Sequence, residues 1–261
     1  MKRTGWRLPL AFLLCLCWLG TADAQTRAAP TYAVMSLVGD NLPLIIYTGT
    51  DTGPGIKVQQ KGYFDNPIKS NIFDAMTLNV MAEGVRKLRP DAATDVLQTR
   101  NTTLLRMQDR IFDAGSDAAQ KVRNSLKTLL ADQKATQLIL LTKHRDEVEL
   151  PLASGAAGVG VLEGLGFYVD NTVRLRNASG NVGFGVIGAY AFMTLRLVDA
   201  KTMNVIREIP LTTYRALPRT SEHPEDQTWE KLTDRQKADF IQDLVTDPLS
   251  TAMPKLLAPA S

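Results

Sequence analysis

This sequence contains little cysteine and little histidine, the residues that form disulfides, thiol nucleophiles and most zinc sites. Its 261 residues include two of each. Cys15 and Cys17 lie in an apolar amino-terminal stretch, while His144 and His223 are far apart and neither has a second ligand at metal-binding spacing. A zinc site needs three or four ligands, so the sequence predicts no metal ion. Both cysteines lie in the amino-terminal stretch, so it predicts no disulfide in the rest of the chain. It also predicts no cofactor.

Motifs of common catalytic and nucleotide-binding sites are also missing. The Gly-x-Ser-x-Gly elbow of serine hydrolases does not occur. The glycine-rich stretch from Ser154 to Gly166 is followed neither by Gly-Lys-Ser/Thr nor by a helical pattern, so it does not match a phosphate-binding loop. Aspartate and glutamate are plentiful, and a dispersed pair of carboxylates is an open alternative. We therefore favour a non-enzymatic protein without catalytic residues, with an envelope hydrolase as the alternative.

The first 24 residues have the pattern of a cleavable secretory signal peptide. Lys2 and Arg3 precede an apolar run from Leu8 to Leu19, and Ala22-Asp23-Ala24 gives the small-x-small pattern of a cleavage site. The run is shorter than the roughly 20 residues that span a membrane. Neither cysteine is preceded by small residues, so no lipid anchor is predicted. We expect cleavage at about Ala24-Gln25 and a periplasmic or secreted protein.

Without this segment the chain has no cysteine and is nearly neutral. Removal of three basic residues and one acidic residue leaves 27 basic against 26 acidic residues, from 30 and 27 in the full sequence. This balance gives no support for nucleic-acid binding, and no later stretch is apolar enough for a membrane helix. Residues 25–261 are long enough to bury a core without disulfides. We expect one domain, with a subdivision near residue 150 as the alternative.

The order of predicted elements favours an α+β fold: a mixed sheet with packed helices, an antiparallel β region in the second half, and a carboxy-terminal helix. In the first half, a tight turn at 39–41 is expected to connect the first two strands, and the first strand is expected to be central because it is apolar on both faces. The predicted strands are 32–38, 42–47, 94–99 and 137–142, with 56–61 as a candidate short strand, and the predicted helices are 66–88, 101–112 and 116–133.

In the second half, three antiparallel strands are predicted at 166–176, 190–198 and 203–214. Residues 166–176 alternate between apolar and polar, which is typical of a half-exposed strand with Tyr168 and Asp170 on its outer face. A final helix over 224–245 contains a capping box at Thr233 and Gln236. Pro248 is expected to start a separate short helix.

Glycine and tryptophan mark the candidate interaction residues. Half of the eighteen glycines lie between Gly155 and Gly188, and the small apolar stretch 155–161 is expected to be buried or packed against a partner. Trp229 opens the predicted final helix, either as an anchor to the core or as an interface residue. The candidate interaction residues are Gly158, Gly160, Leu162, Tyr168 and Trp229.

A second set of candidates follows the strand at 137–142. His144, Arg145 and Asp146 lie in a run of charged residues, which is either a solvated turn or a polar site. Open α/β sheets place ligands at the carboxyl ends of their strands, so these three residues are the candidate polar site.

The stretch from Met193 to Leu211 resembles the late hairpin of curli-assembly lipoproteins. It is also similar to that of outer-membrane activators of penicillin-binding proteins and of the amino-terminal domain of the Tol-system propeller protein. Leu197-Val198-Asp199 and Val205-Ile206 fill the places that carry the pattern. The chain departs from it in lacking a lipidated cysteine and in having Thr202-Met203-Asn204 where the turn usually carries glycine. The resemblance implies a noncatalytic envelope scaffold or partner-binding domain.

Together these patterns predict a secreted periplasmic protein that binds a partner, an accessory factor of cell-envelope assembly or maintenance. The expected partner is another envelope protein. A membrane-associated oligomer that inserts residues 155–165 is a further alternative. The sequence leaves open the identity of the partner, the oligomeric state and the exposure of residues 155–188.

Overall fold

The computed structural model describes residues 29–39, 41–51, 56–65, 72–113, 115–152, 155–158, 160–176, 182–218 and 233–259. Within these ranges no helix is both long enough and apolar enough to cross a membrane. The helices in this part of the chain are α1 (Ile72–Leu88), α2 (Thr102–Arg106), α3 (Asp117–Asp132) and α4 (Asp234–Leu256). The strands are β1 (Thr31–Ser36), β2 (Leu44–Asp51), β3 (Ile56–Phe64), β4 (Ala93–Leu97), β5 (Gln137–Lys143), β6 (Arg145–Glu147), β7 (Leu150–Leu152), β8 (Gly155–Ala157), β9 (Val161–Arg176), β10 (Val182–Asp199) and β11 (Val205–Pro218).

The long strand β10 organises a nine-stranded mixed sheet. Its residues 193–199 pair with β5 and its residues 182–192 pair with β9, both antiparallel. Because β11 follows the opposite side of β10, β5 and β9 lie end to end along one side. Parallel strands β1 and β4 continue the first half beyond β5, while β2 and β3 continue the second half beyond β9. We call the boundary between β5 and β9 the seam.

Helices cover both faces of the first half of the sheet. Helices α1 and α4 pack on one face, and α2 and α3 on the other. Successive side chains of β1 point to opposite faces of the sheet and enter both cores. Tyr32 and Val34 face α1 and α4, while Ala33 and Met35 face α2 and α3. The chain therefore has an α+β fold with a mixed sheet and a carboxy-terminal helix, as its sequence predicts.

The second half of the sheet is covered differently on its two faces. Helix α4 packs on one face, where the Phe240 and Phe167 ring centroids lie 6.3 Å apart. The other face carries an aromatic cluster beneath a β-hairpin formed by residues 145–152, 155–158 and 160–163, in which β6 pairs with the start of β9 and β7 pairs with β8. We call it the covering hairpin; its Val148 is buried in the cluster. The aromatic cluster comprises Ile45, Tyr47, Val148, Leu162, Tyr168, Val186, Tyr190 and Phe192.

The predicted pairing of the first two strands was wrong. Strand β1 lies between β4 and β5, so its predicted central position is confirmed. Strand β2 instead pairs with β3 and β9 in the other half of the sheet. Leu37, Val38 and Leu42, which flank the predicted turn, are fully buried.

The expected half-exposure of residues 166–176 was also wrong for the part near the seam. Tyr168 and Asp170 are 0% and 1% exposed. The covering hairpin and β2 enclose this face, and the Tyr168 hydroxyl donates a hydrogen bond of 3.1 Å to Asp170 Oδ2. Polar residues at alternate positions therefore form a buried hydrogen-bonded pair here, rather than a solvent-facing row.

The carboxy-terminal helix is one element, and the separate helix expected from Pro248 is absent from the described residues. Proline has no N–H to donate to the carbonyl of Leu244, four residues earlier. The Thr213 hydroxyl replaces it with a hydrogen bond of 2.7 Å to that carbonyl oxygen. The predicted capping box at Thr233 and Gln236 is confirmed.

Candidate functional site

The seam contains a pocket of about 420 Å³. Strand β5 ends here at Lys143, and β9 pairs with β10 only from Gly164 onward, because its residues 161–163 pair with β6. Its volume is in the range of small-molecule binding sites. We call it the seam pocket. It is lined by Asn41, Pro43, Ile45, Tyr63, Lys143, Arg145, Val161, Leu162, Glu163 and Tyr190.

Gly164 allows the two halves to meet beside this pocket. Its N–H donates to the His144 carbonyl at 3.2 Å, and the His144 N–H donates to the Phe192 carbonyl at 3.1 Å. Gly164 has φ +69°, and a Cβ atom there would lie 2.5 Å from Cδ of Lys143. Glycine thus satisfies both the backbone conformation and the close approach of Lys143.

The rim of the seam pocket carries a charge pair. Arg145 Nε and Glu163 Oε2 lie 2.6 Å apart, with side chains 62% and 38% exposed. The hydrogen bond to Glu163 raises the pKa of Arg145. Because solvent screens exposed pairs, this contact contributes little to stability and leaves both groups accessible to a partner.

The floor of the seam pocket contains two buried polar atoms with no hydrogen-bond partner among the described residues: the hydroxyl of Tyr190 and Oδ1 of Asn41. Asn41 Nδ2 donates to Asp65 Oδ1 at 2.7 Å, which fixes its amide. Burial raises the pKa of the Tyr190 hydroxyl far above its usual range, so it stays protonated and can donate. Next to the pocket there are therefore one buried donor and one buried acceptor without a partner among the described residues.

Exposed apolar side chains flank the opening. Tyr63 is 55% exposed and Val161 is 56% exposed, and both line the pocket. Partial burial and the adjacent Asp65 carboxylate raise the pKa of the Tyr63 hydroxyl. Phe64 follows on the other face of β3 and is 53% exposed. Tyr63 and Val161 therefore form an accessible apolar surface next to the buried polar atoms.

His144 and Asp146, two of the three candidate polar residues, lie outside the seam pocket. Nδ1 of His144 lies 3.1 Å from the Thr194 hydroxyl, and Nε2 lies 3.3 Å from the Thr212 hydroxyl. Thr212 in turn donates to Asp146 Oδ2 at 3.1 Å. Burial lowers the pKa of His144. This chain of hydrogen bonds ties the covering hairpin to β10 and β11, so Arg145 alone of the three lines the pocket.

Two candidate interaction residues, Leu162 and Tyr168, have buried side chains in the aromatic cluster. Leu162 also lines the seam pocket. The Tyr168 ring lies 5.3 Å from the Tyr47 ring, between centroids.

The candidate glycines lie close to side chains of the aromatic cluster. A Cβ atom at Gly160 would lie 2.3 Å from the Tyr47 hydroxyl oxygen, and one at Gly158 would lie 2.3 Å from Val148 Cγ1. Trp229, the remaining candidate, lies outside the described residues.

Sequence patterns gave no signal for several residues of the seam pocket. Asn41, Tyr63 and Tyr190 come from separate elements, and no local motif connects them. The one usable indication was Tyr63-Phe64, two adjacent aromatics beside the polar stretch Asp65-Asn66. Across the described residues, no three His, Cys, Asp or Glu side chains converge in a way that could hold a metal ion.

Comparison with known proteins assigns no family. No protein-family model matches, and no curated protein matches. The chain is similar to a PelC dodecamer from Paraburkholderia phytofirmans at 10% identity and a TM-score of 0.32, covering 89% of this chain and 91% of that one. It is similar to a homologue of a neuraminyllactose-binding hemagglutinin from Helicobacter pylori at 9% identity and a TM-score of 0.36, covering 88% of this chain and 89% of that one. A Xanthomonas campestris protein of the DUF330 family matches at 7% identity and a TM-score of 0.35, covering 90% of this chain and 88% of that one. These similarities are too distant to support a function, and the resemblance to curli-assembly lipoproteins stays a prediction.

Proposed function

We propose that this chain is a non-enzymatic protein of the bacterial cell envelope that holds a partner at the seam pocket. One observation carries the proposal: the Tyr190 hydroxyl and Asn41 Oδ1 have no hydrogen-bond partner among the described residues, and they lie beneath an opening flanked by exposed Tyr63 and Val161. Buried polar groups in folded proteins are almost always hydrogen-bonded. Leaving one unpaired costs about 1–3 kcal/mol, so a bound group that pairs with both atoms recovers that cost.

An envelope location is supported by the predicted signal peptide. The resemblance of residues 193–211 to envelope scaffolds supports the same location and a role in assembly or maintenance. The expected partner is therefore another envelope protein that meets this chain after export.

Binding fits the lining of the pocket better than hydrolysis does. A glycosidase-type mechanism uses two carboxylates that face one cleft. Among the described residues that line the seam pocket, Glu163 is the one carboxylate, and Arg145 is paired with it. The remaining lining groups are the Lys143 ammonium, neutral hydrogen-bonding groups and apolar side chains.

Partner contact also fits better than membrane insertion of residues 155–165. Residues 161–165 belong to β9, and Leu162 and Leu165 are buried at 1% and 0% exposure. Insertion would require these leucines to leave the sheet, whereas Val161 and Tyr63 are already exposed to a partner.

Site-specific photo-crosslinking in living cells tests this function. A photoreactive residue placed at Tyr63 or at Val161 is expected to give the same adduct, of one size, in the envelope fraction. Val96 is the matched control, because it is 50% exposed on the distant strand β4. No adduct at either test position, or the same adduct from position 96, would reject the seam pocket as the binding site.

A further inference from the structure

A second pocket, of about 410 Å³, lies between α3 and the turn that connects β10 and β11. Its charged lining residues among those described are both basic: Arg123 and Lys127. We call it the basic pocket. It is separate from the seam pocket, and shares no lining residue with it. The lining comprises Phe112, Gln120, Arg123, Asn124, Lys127, Thr202, Met203, Asn204 and Val205.

Arg123 is held in place by neutral groups. Its Nη1 atom donates to the carbonyls of Ile111 and Asp113 at 2.6 and 3.2 Å, and Nη2 donates to Gln120 Oε1 at 2.8 Å. None of these acceptors carries a charge. In the described ranges no carboxylate lies within ion-pair distance of Arg123, so the guanidinium is positioned without being neutralised.

The same face of α3 adds further donors. Lys127 lies four residues after Arg123, so the two cations are neighbours on one helix face. Asn124 lies between them, and its Oδ1 accepts a hydrogen bond of 2.9 Å from Gln120 Nε2. This contact orients the amide and leaves Nδ2 as a donor. Two cations and an oriented amide thus border one cavity.

The opposite wall is a fixed turn. Asp199 Oδ1 accepts hydrogen bonds from the N–H and hydroxyl of Thr202 at 2.7 and 2.8 Å, which fix the turn. Met203 has φ +62°, and its side chain is nevertheless buried at 6% exposure. A buried side chain in this left-handed conformation holds the turn against the core.

We infer that the basic pocket binds a phosphate group. A positioned guanidinium and an adjacent ammonium are the groups that recognise phosphate oxygens through charge-assisted hydrogen bonds. Val205, which is 37% exposed, lines the basic pocket, and the next residue, Ile206, is 49% exposed. The phosphate is therefore carried either by a phospholipid headgroup, whose apolar part would contact these residues, or by a soluble compound.

Titration of the purified full chain with inorganic phosphate, followed by NMR of the Arg123 side chain and the amides of residues 202–205, tests the site. Saturable shifts confined to these groups are expected. Lys127→Gln is expected to weaken binding about tenfold, the loss of one charge-assisted contact. Lys121→Gln makes the same charge change on the same helix outside the basic pocket, and should leave the affinity unchanged.

Arg123→Lys tests the role of the fixed guanidinium, and is expected to weaken phosphate binding at least as much as Lys127→Gln. Flotation with vesicles of phosphatidylglycerol and phosphatidylcholine separates the two phosphate sources. Vesicle binding that Lys127→Gln abolishes and Lys121→Gln retains assigns a lipid headgroup; saturable binding of phosphate without flotation assigns a soluble compound. The inference is overturned if phosphate produces no saturable shift at Arg123, or if Lys127→Gln and Lys121→Gln weaken binding equally.

Discussion

Tyr190 and Tyr168 project from neighbouring strands into the same aromatic cluster, yet their hydroxyl groups are in different situations. The Tyr168 hydroxyl donates to the buried Asp170 carboxylate, whereas the Tyr190 hydroxyl has no hydrogen-bond partner within the described residues. The two residues therefore form a matched pair in which the same substitution should have opposite effects on stability.

Tyr190→Phe removes a buried hydroxyl that is unpaired, so we expect the free energy of unfolding of the isolated protein to stay constant or rise by about 1 kcal/mol. Tyr168→Phe removes a donor to a buried carboxylate and should lower it by about 1–3 kcal/mol. Urea unfolding measures both. Tyr190→Phe should also weaken the adduct formed through position 63. A large stability loss in Tyr190→Phe would show that its hydroxyl is paired within the protein.

At the residue scale, the sequence located only part of the site. Arg145 and Leu162 were singled out from local patterns, and both line the seam pocket. Asn41, Tyr63 and Tyr190 were not singled out, because they come from separate parts of the chain. Their grouping depends on the pairing of β9 with both β2 and β10, and no short stretch of sequence encodes such long-range contacts.

Helix α4 continues through Pro248 because another element satisfies its backbone. The Thr213 hydroxyl on β11 donates to the Leu244 carbonyl, the acceptor that Pro248 cannot serve. Thr213→Val should therefore lower the free energy of unfolding by about 1–3 kcal/mol. Alanine at position 248 restores the missing N–H, so the same change should cost clearly less in the Pro248→Ala background. A double-mutant cycle measures this coupling, and equal costs in both backgrounds would refute the assignment.

The covering hairpin is held by a titratable group. Burial lowers the pKa of His144 below its ordinary value of 6.5, despite the opposing effect of Asp146. The unfolded chain then takes up a proton at higher pH than the folded chain. Above about pH 6.5 His144 is neutral in both the folded and the unfolded chain, and its titration does not lower the stability. As the pH falls below about 6.5 the unfolded chain is protonated first, so the free energy of unfolding decreases until the pH is below the folded pKa.

We therefore expect the free energy of unfolding to decrease as the pH falls below about 6.5, and this decrease to be smaller in His144→Gln. Urea unfolding at a series of pH values measures it. His223→Gln removes the only other histidine of the chain and serves as the control, with an unchanged pH profile expected. A profile that His144→Gln leaves unaltered would assign the pH dependence to other groups.

At the element scale, hydrophobic patterns predicted where strands occur better than how they pair. The runs at 32–38 and 137–142 correspond to β1 and β5. The pairing of β2 was missed because the apolar residues of β2 can pack beside any buried strand. Its actual neighbour, β9, follows more than a hundred residues later in the sequence. The exposure of β9 was missed for a related reason: the covering hairpin that encloses Tyr168 has no signature of its own.

On the scale of the whole molecule, β10 connects both halves of the sheet. Strand β5 is the last strand in the first half of the sheet, and it pairs antiparallel with residues 193–199 of β10. Helix α1 likewise packs against α4, which follows everything else in sequence. A division of the chain near residue 150 would thus leave β5 with one open edge and α1 with an uncovered apolar face.

We expect neither residues 25–150 nor residues 151–261 to unfold cooperatively when each is produced alone. The first fragment loses the neighbour of β5, and the second loses β2 and β3, which complete its half of the sheet. Mixing the fragments should restore a cooperative transition in circular dichroism, because the contacts across the seam and between α1 and α4 can then form. A cooperative transition in the first fragment alone would instead establish a domain boundary near residue 150, and would make the seam pocket an interface between two independently folding units.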